Sequence, residues 1–143
     1  MMTKMNRSIA FIGAVIGLVS CNGLWLDTYW RSGNYVLTAV DTRTQMSLGI
    51  DQENGTAIGV VGPTIYSIGA DDRYIVVKQH PSTNPAGTID RSITNYYAVV
   101  RLDGPSHDKA GQGTQGPLSN EDYEKLAVSL LLPPFTKTFD DLK

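Results

Sequence analysis

β-forming residues are densest over residues 60–81, VVGPTIYSIGADDRYIVVKQHP, where two such runs flank a polar break. In Thr64-Ile65-Tyr66-Ser67-Ile68 and Tyr74-Ile75-Val76-Val77-Lys78, β-branched and aromatic residues dominate, and these pack well on a pleated surface. Between them Gly69-Ala70-Asp71-Asp72-Arg73 supplies turn chemistry, because glycine tolerates positive φ and aspartate side chains accept hydrogen bonds from nearby backbone N–H groups. This predicts a β-hairpin with a loop of about five residues. Pro63 and Pro81 bracket it, since neither can donate to a central ladder. Side chains alternate along a strand, so Ile75 and Val77 are expected in the core, with Tyr74, Val76 and Lys78 on the opposite face. Upstream, residues 35–40 (YVLTAV) read as a strand and 41–44 as a polar connection. Residues 45–50 form a second strand, wet on one face, because Met46, Leu48 and Ile50 alternate with small or polar residues. Asn54-Gly55 is a turn signal, residues 57–61 (AIGVV) make a third strand, and Gly62-Pro63 leads into the hairpin. Spacings of about ten residues are those of an antiparallel meander.

Residues 82–90 are polar and broken by proline and glycine, hence a loop. Residues 94–102 (TNYYAVVRL) are the last clear strand, with residues 74–80 as the expected partner. Residues 103–116 hold four glycines and one proline among fourteen positions and read as a mobile loop. A helix then starts at Ser119 as N-cap, with Asp122 three residues on and an acidic first turn. Tyr123, Leu126, Ala127 and Leu130 fall at helical spacing and would cover one face of the sheet. Pro133-Pro134 ends the helix, and residues 135–142 return as a short strand or extended tail. The expected fold class is α+β: a small antiparallel β-meander or partial barrel of five or six strands with one C-terminal helix.

Residues 1–20 stand apart from this pattern. Lys4 and Arg7 precede an uncharged run over residues 9–19 rich in Ile, Val, Ala and Gly, about half the length needed to span a bilayer, so it reads as the apolar region of a secretory signal. Leu18-Val19-Ser20-Cys21 at its end resembles the bacterial lipobox. That resemblance implies diacylglyceryl transfer to the Cys21 thiol, cleavage before Cys21, and acylation of the new amino terminus with a fatty acid such as palmitate. Two or more acyl chains give stable anchoring, each buried methylene contributing about 0.8 kcal/mol. The domains are then a lipoprotein signal peptide over 1–20 and a single β-rich domain over 21–143, lipid-anchored at its N-terminus. In enterobacterial lipoproteins an Asp after the Cys favours the inner membrane. Asn22 stands here, which favours the outer membrane facing the periplasm in a host that has one.

With Lys4 and Arg7 removed, ten basic and fourteen acidic side chains leave the mature chain at −4. Such a surface offers no basic patch for nucleic acid. Cys21 is the only cysteine, so no disulfide can form within the chain and the core alone must stabilise an exported domain. Trp25, Tyr29 and Trp30 follow the anchor closely. They are not linker composition and belong either against the domain or at the lipid headgroup boundary.

The mature chain also resembles a family of small, uncharacterised bacterial lipoproteins, through Gly62-Pro63, Asp72-Arg73-Tyr74-Ile75, Lys78-Gln79-His80-Pro81 and Thr94-Asn95-Tyr96-Tyr97. The resemblance implies fold and location and supplies no activity.

His80 and His107 are the only histidines, so neither a transition-metal site nor a cofactor is expected. There is no Gly-x-Ser-x-Gly elbow, Walker loop or dinucleotide fingerprint. The candidate binding residues are Lys78, His80, Tyr96 and Tyr97, which two paired strands would bring near one another, and Arg73, expected to hold the hairpin turn by a local ion pair with Asp71 or Asp72. His80, before Pro81, is expected at a solvated strand end. Two functions fit. One is a membrane-anchored envelope lipoprotein acting as a protein-binding or inhibitory, immunity-type module; the other is a small hydrolase or ligand-binding protein with a site around His80.

Overall fold

The computed structural model describes residues 27–52, 55–83, 87–102 and 111–143. The signal segment, Cys21, Trp25, Asn54, His107 and most of the predicted 103–116 loop lie outside the described residues. Nine strands, one turn of 3-10 helix (Arg43–Gln45) and one α-helix make up the rest. Strands β1 (Asp27–Ser32), β2 (Tyr35–Ala39), β3 (Ser47–Asp51) and β4 (Ala57–Val61) form a four-stranded antiparallel sheet in chain order. Strands β5 (Ile65–Ala70), β6 (Tyr74–Gln79), β7 (Asn95–Val100), β8 (Thr114–Leu118) and β9 (Lys137–Thr138) form a five-stranded one ordered β8-β7-β6-β5-β9. Helix α1 (Asn120–Leu130) lies between β8 and β9 in the chain.

The central hairpin is β5–β6, as its apolar pattern demands, but its loop is three residues rather than five. Gly69 and Ala70 continue the strand, opposite Val76 and Ile75, and Asp71 alone builds the turn. Its Oδ1 accepts from the N–H groups of Arg73 and Tyr74, both at 2.8 Å. Gly69 serves close approach, not turning: a Cβ there would collide with the backbone of Pro134. Residues 134–138 can therefore settle on β5, where the N–H of Thr136 donates to the Ile68 carbonyl at 3.0 Å.

The inner faces of the two sheets make the core. Leu37, Met46, Leu48 and Ile50 from one meet Ile65, Ile68, Ile75, Val77 and Val99 from the other, with Phe139 and Leu142 of the tail joining them. Ile75 and Val77 are fully buried, in the predicted register. The opposite side of β6 is closed as well, with Val76 at 0% and Tyr74 at 7% exposure. Helix α1 packs on that side of the sheet, against β7 and β8, burying Tyr123 and half-burying Leu126, Ala127 and Leu130, the four positions its spacing selects. Ser119 caps it through Oγ, which accepts from the Asp122 N–H at 3.1 Å. The helix closes at Leu131 in the left-handed conformation, two residues before the prolines.

Two strands, β1 and β8, depart from the sequence reading, while β9 is the expected return of residues 135–142. β1 arises from the aromatic segment around Tyr29 and Trp30, which pack against the core. β8 takes the end of the predicted loop, and its Gly116-Pro117 is tolerated because an edge strand needs donors on one side only. β9 is the tail returning onto β5. The chain makes two sheets and no closed barrel, because it turns a corner at residues 62–64. There the Ile65 N–H donates to the Met46 carbonyl at 2.9 Å and Thr64 Oγ1 donates to the Thr44 carbonyl. Arg101 fastens the far end, donating to Ser32 Oγ at 2.6 Å and to the Asp71 carbonyl at 2.9 Å.

Truncating Val77 to Ala is expected to destabilise the domain by roughly 1 to 3 kcal/mol, from lost burial and an unfilled cavity between the sheets. Urea denaturation measures it, and a loss below about 0.5 kcal/mol would be that of a surface position.

Candidate functional site

The sequence candidates fall on the paired strands β6 and β7, in register Lys78↔Tyr96 and Val77↔Tyr97. That register separates them. Lys78 and Tyr96 point away from the core, toward α1, where the Lys78 ammonium lies 5.5 Å from the Tyr96 ring centroid and 4.6 Å from that of Phe135. Tyr96 stacks on Tyr123 of α1 at 4.8 Å, and Phe135 leans on Tyr123 at 5.6 Å. A cation is thus held over a half-buried aromatic cluster built from β6, β7, the helix and the segment after it. No carboxylate pairs with Lys78 among the described residues. Such a contact contributes about 0.5–1 kcal/mol when exposed and more when dehydrated. Burial pushes the Tyr96 hydroxyl above its ordinary pKa and that of Tyr123 up to about 12.

Tyr97 sits on the other side of β7, its hydroxyl donating to Gln79 Oε1 at 3.3 Å. Gln79 is a hub that the sequence reading passed over. Its Oε1 also accepts from Asn95 Nδ2 at 3.1 Å, and its Nε2 donates to the carbonyls of Gly62 and Pro63 at 2.9 and 3.0 Å. With its donors and acceptor engaged, Gln79 locks β7 and the corner between the sheets. Only its position inside an apolar strand hints at such a role.

His80 is not solvated. It is 3% exposed, and its ring stacks on Tyr66 at 4.2 Å with the planes 12° apart. Its Nδ1 is 2.7 Å from the Ile93 carbonyl; since a carbonyl only accepts, the ring proton resides there. Nε2 is buried without a partner among the described residues. Nearby, Ser92 donates its N–H and hydroxyl to Asp90 Oδ1, which holds the Asp90 carboxyl below its usual range.

Arg73 does not form the expected ion pair. Its guanidinium lies over the Tyr74 ring at 5.1 Å and donates to the Tyr74 hydroxyl at 3.3 Å, because Asp71 is turned inward to bind backbone N–H groups. Surface depressions of about 210 and 230 Å³ lie on the four-stranded sheet, the first lined by Asp27, Tyr29, Asp41 and Arg43, the second by Thr38, Ser47, Gly49 and Gly59. Neither includes His80. Among the described residues no group of three His, Cys, Asp or Glu could hold a metal ion, and no helix is long and apolar enough to cross a membrane.

Comparison with family models, curated proteins and solved structures finds no match for this chain.

Two expectations follow. Because Tyr123 keeps its proton to about pH 12 in the folded state, while an unfolded tyrosine releases it near 10, stability should hold below pH 10 and fall between about 10 and 12. Denaturation at pH 9 and pH 11.5 should show this loss, and Tyr123→Phe should reduce it. His80→Ala should cost about 1–3 kcal/mol in the same assay, since it leaves the Ile93 carbonyl unpaired and a gap beside Tyr66.

Proposed function

We propose that the chain is a lipid-anchored envelope protein that acts by binding another envelope protein. The observation that carries the reading is the Lys78, Tyr96 and Phe135 cluster, a cation with no carboxylate partner among the described residues, lying over partly exposed aromatic rings on the helix-side face. Partly exposed aromatic rings are the side chains enriched at the centres of protein contact surfaces. The burial of His80 supports binding over hydrolysis: a ring closed from solvent, with Nδ1–H committed to a backbone carbonyl, is not set to take a proton from a nucleophile on an incoming substrate.

The anchor rests on Leu18-Val19-Ser20-Cys21 at the end of the apolar run. Strand β1 begins at Asp27, six residues after Cys21, and six extended residues reach at most ~20 Å. A domain so tethered stays next to the bilayer, and its surfaces meet partners in that layer.

Fractionation and affinity capture test the reading together. Cys21→Ser should move the protein from the membrane to the soluble fraction without changing its denaturation midpoint, and mass spectrometry of the wild type should find Cys21 acylated. The lipidated wild type should retain a specific envelope protein, and Lys78→Glu should weaken that retention roughly tenfold, about 1.4 kcal/mol. Unmodified Cys21 in membrane-bound protein would remove the anchor. Turnover of a peptidoglycan or ester substrate, lost in His80→Ala variants that still fold, would replace binding by catalysis.

A further inference from the structure

We propose that β4 is a self-association edge, through which two copies of this chain pair antiparallel and join their four-stranded sheets into one of eight strands. This goes beyond the binding reading above and does not depend on it.

Four strands end the two sheets: β1, β4, β8 and β9. Sheet edges expose unpaired backbone groups, and proteins blunt them with charges, prolines, bulges or short strands. Three of these four are blunted. β1 carries Asp27 and Arg31; β8 contains Gly116-Pro117; β9 is two residues long and includes Lys137. β4, Ala-Ile-Gly-Val-Val, has no charge, no proline and five residues. Its register irregularity lies against β3, where Leu48 faces Val61 and Gly49 faces Gly59. Among the described residues no strand pairs with its outward side.

The occupant that fits is the same strand of a second copy. Antiparallel pairing about a two-fold axis at Gly59 sets Gly59 opposite Gly59, Ile58 opposite Val60 and Ala57 opposite Val61. Every cross-strand pair is then apolar, and the symmetric contact places no like charges together, as it would on β1. Ile58 pairs with the core residue Ile50, and Val60 packs against the core while still half-exposed. In the paired state Ile58 of each copy covers Val60 of the other, closing the rim of both cores. Gly59 is exposed, and nothing lies within 4 Å of where its Cβ would be, so a second backbone can approach. Five residues bury far less than the roughly 800 Å² per partner of a standard interface. The dimer is therefore weak and concentration-dependent.

The full chain carrying Cys21→Ser has no cysteine, so one introduced thiol reports on symmetry. Residues directly opposite in an antiparallel pair have Cα atoms about 4.5–5.5 Å apart, within disulfide range. Gly59→Cys in that background should give a covalent dimer under mild oxidation at least tenfold faster than Gly62→Cys. Gly62 is equally unobstructed but lies off the axis, ~20 Å from its copy at about 3.4 Å per residue. Adding Val60→Lys to Gly59→Cys should suppress the dimer while the circular dichroism spectrum stays unchanged. Equal rates at 59 and 62 overturn the proposal, whatever the folding of the Lys variant. A strictly monomeric Cys21→Ser chain at millimolar concentration by sedimentation also overturns it. If the Gly59→Cys thiol cross-links in cell envelopes to a different protein and gives no covalent homodimer, self-pairing is wrong and the edge belongs to a strand from another chain.

Discussion

The architecture depends on one constraint: the central strands β5 and β6 of the five-stranded sheet are buried on both faces. One face meets the four-stranded sheet and the other meets α1 and the segment after it. Strands β5 and β6 therefore need apolar residues at successive positions, and Ile65, Ile68, Ile75, Val76 and Val77 all reach 0% exposure. A single curled sheet would have left one side of that hairpin wet. The cores on the two sides are unlike. Aliphatic side chains make up most of the space between the sheets, joined by Tyr35, Tyr66 and Phe139, whereas under the helix aromatic rings predominate, Tyr96, Tyr123 and Phe135 meeting at centroid distances of 4.8 to 6.3 Å. Rings can hold a half-buried edge that aliphatic residues would leave exposed, which is why the cation of Lys78 comes to rest there.

The second element the fold relies on is the chain's last ten residues. Phe139 and Leu142 enter the main core, β9 pairs with β5, and the Lys137 ammonium donates to the Tyr29 carbonyl of β1 at 2.8 Å. Arg43 and Asp141 form a two-bonded pair at 2.7 and 2.8 Å, which depresses the Asp141 carboxyl and raises the Arg43 guanidinium. That pair is exposed and contributes little; the ring burial beneath it does more. The tail closes one open side of the sandwich, and Gly69 is the residue that lets it approach. In a protein whose described residues hold no disulfide, a closing strap of this kind does part of what cross-links do in small disulfide-bonded domains.

Local chemistry was legible where it is decided locally. The Ser119 cap, the helical face of Tyr123 and Leu126, the Asp71 turn and the alternation of Met46, Leu48 and Ile50 follow from neighbours within a few residues. The β6–β7 pairing was also legible, because both runs are long and dense in β-branched and aromatic residues. What escaped depends on distant partners. Gly69 reads as a turn residue until Pro134 is placed against it. His80 reads as a strand end until Tyr66 and Ile93 close around it, and β8 reads as loop because edge strands tolerate the glycine and proline that break a central one. The binding candidates divided for the same reason: alternation put Lys78 and Tyr96 on the helix side and Tyr97 on the other, and the cluster was completed by Phe135, whose place is set by the helix ending at Leu131.

The two surfaces with open chemistry lie apart, and that separation bears on how they can be used. Lys78 and Phe135 belong to the outer face of the five-stranded sheet, while β4 ends the other sheet. Within that sheet β1 and β4 are opposite edges, ~14 Å apart across three strand spacings. The described chain enters the fold at β1, the edge far from β4. A partner on the helix-side face and a second copy on β4 then contact different strands, different backbones and different side chains. Occupying one removes no hydrogen-bonding group the other needs, so the two contacts can coexist on a single molecule.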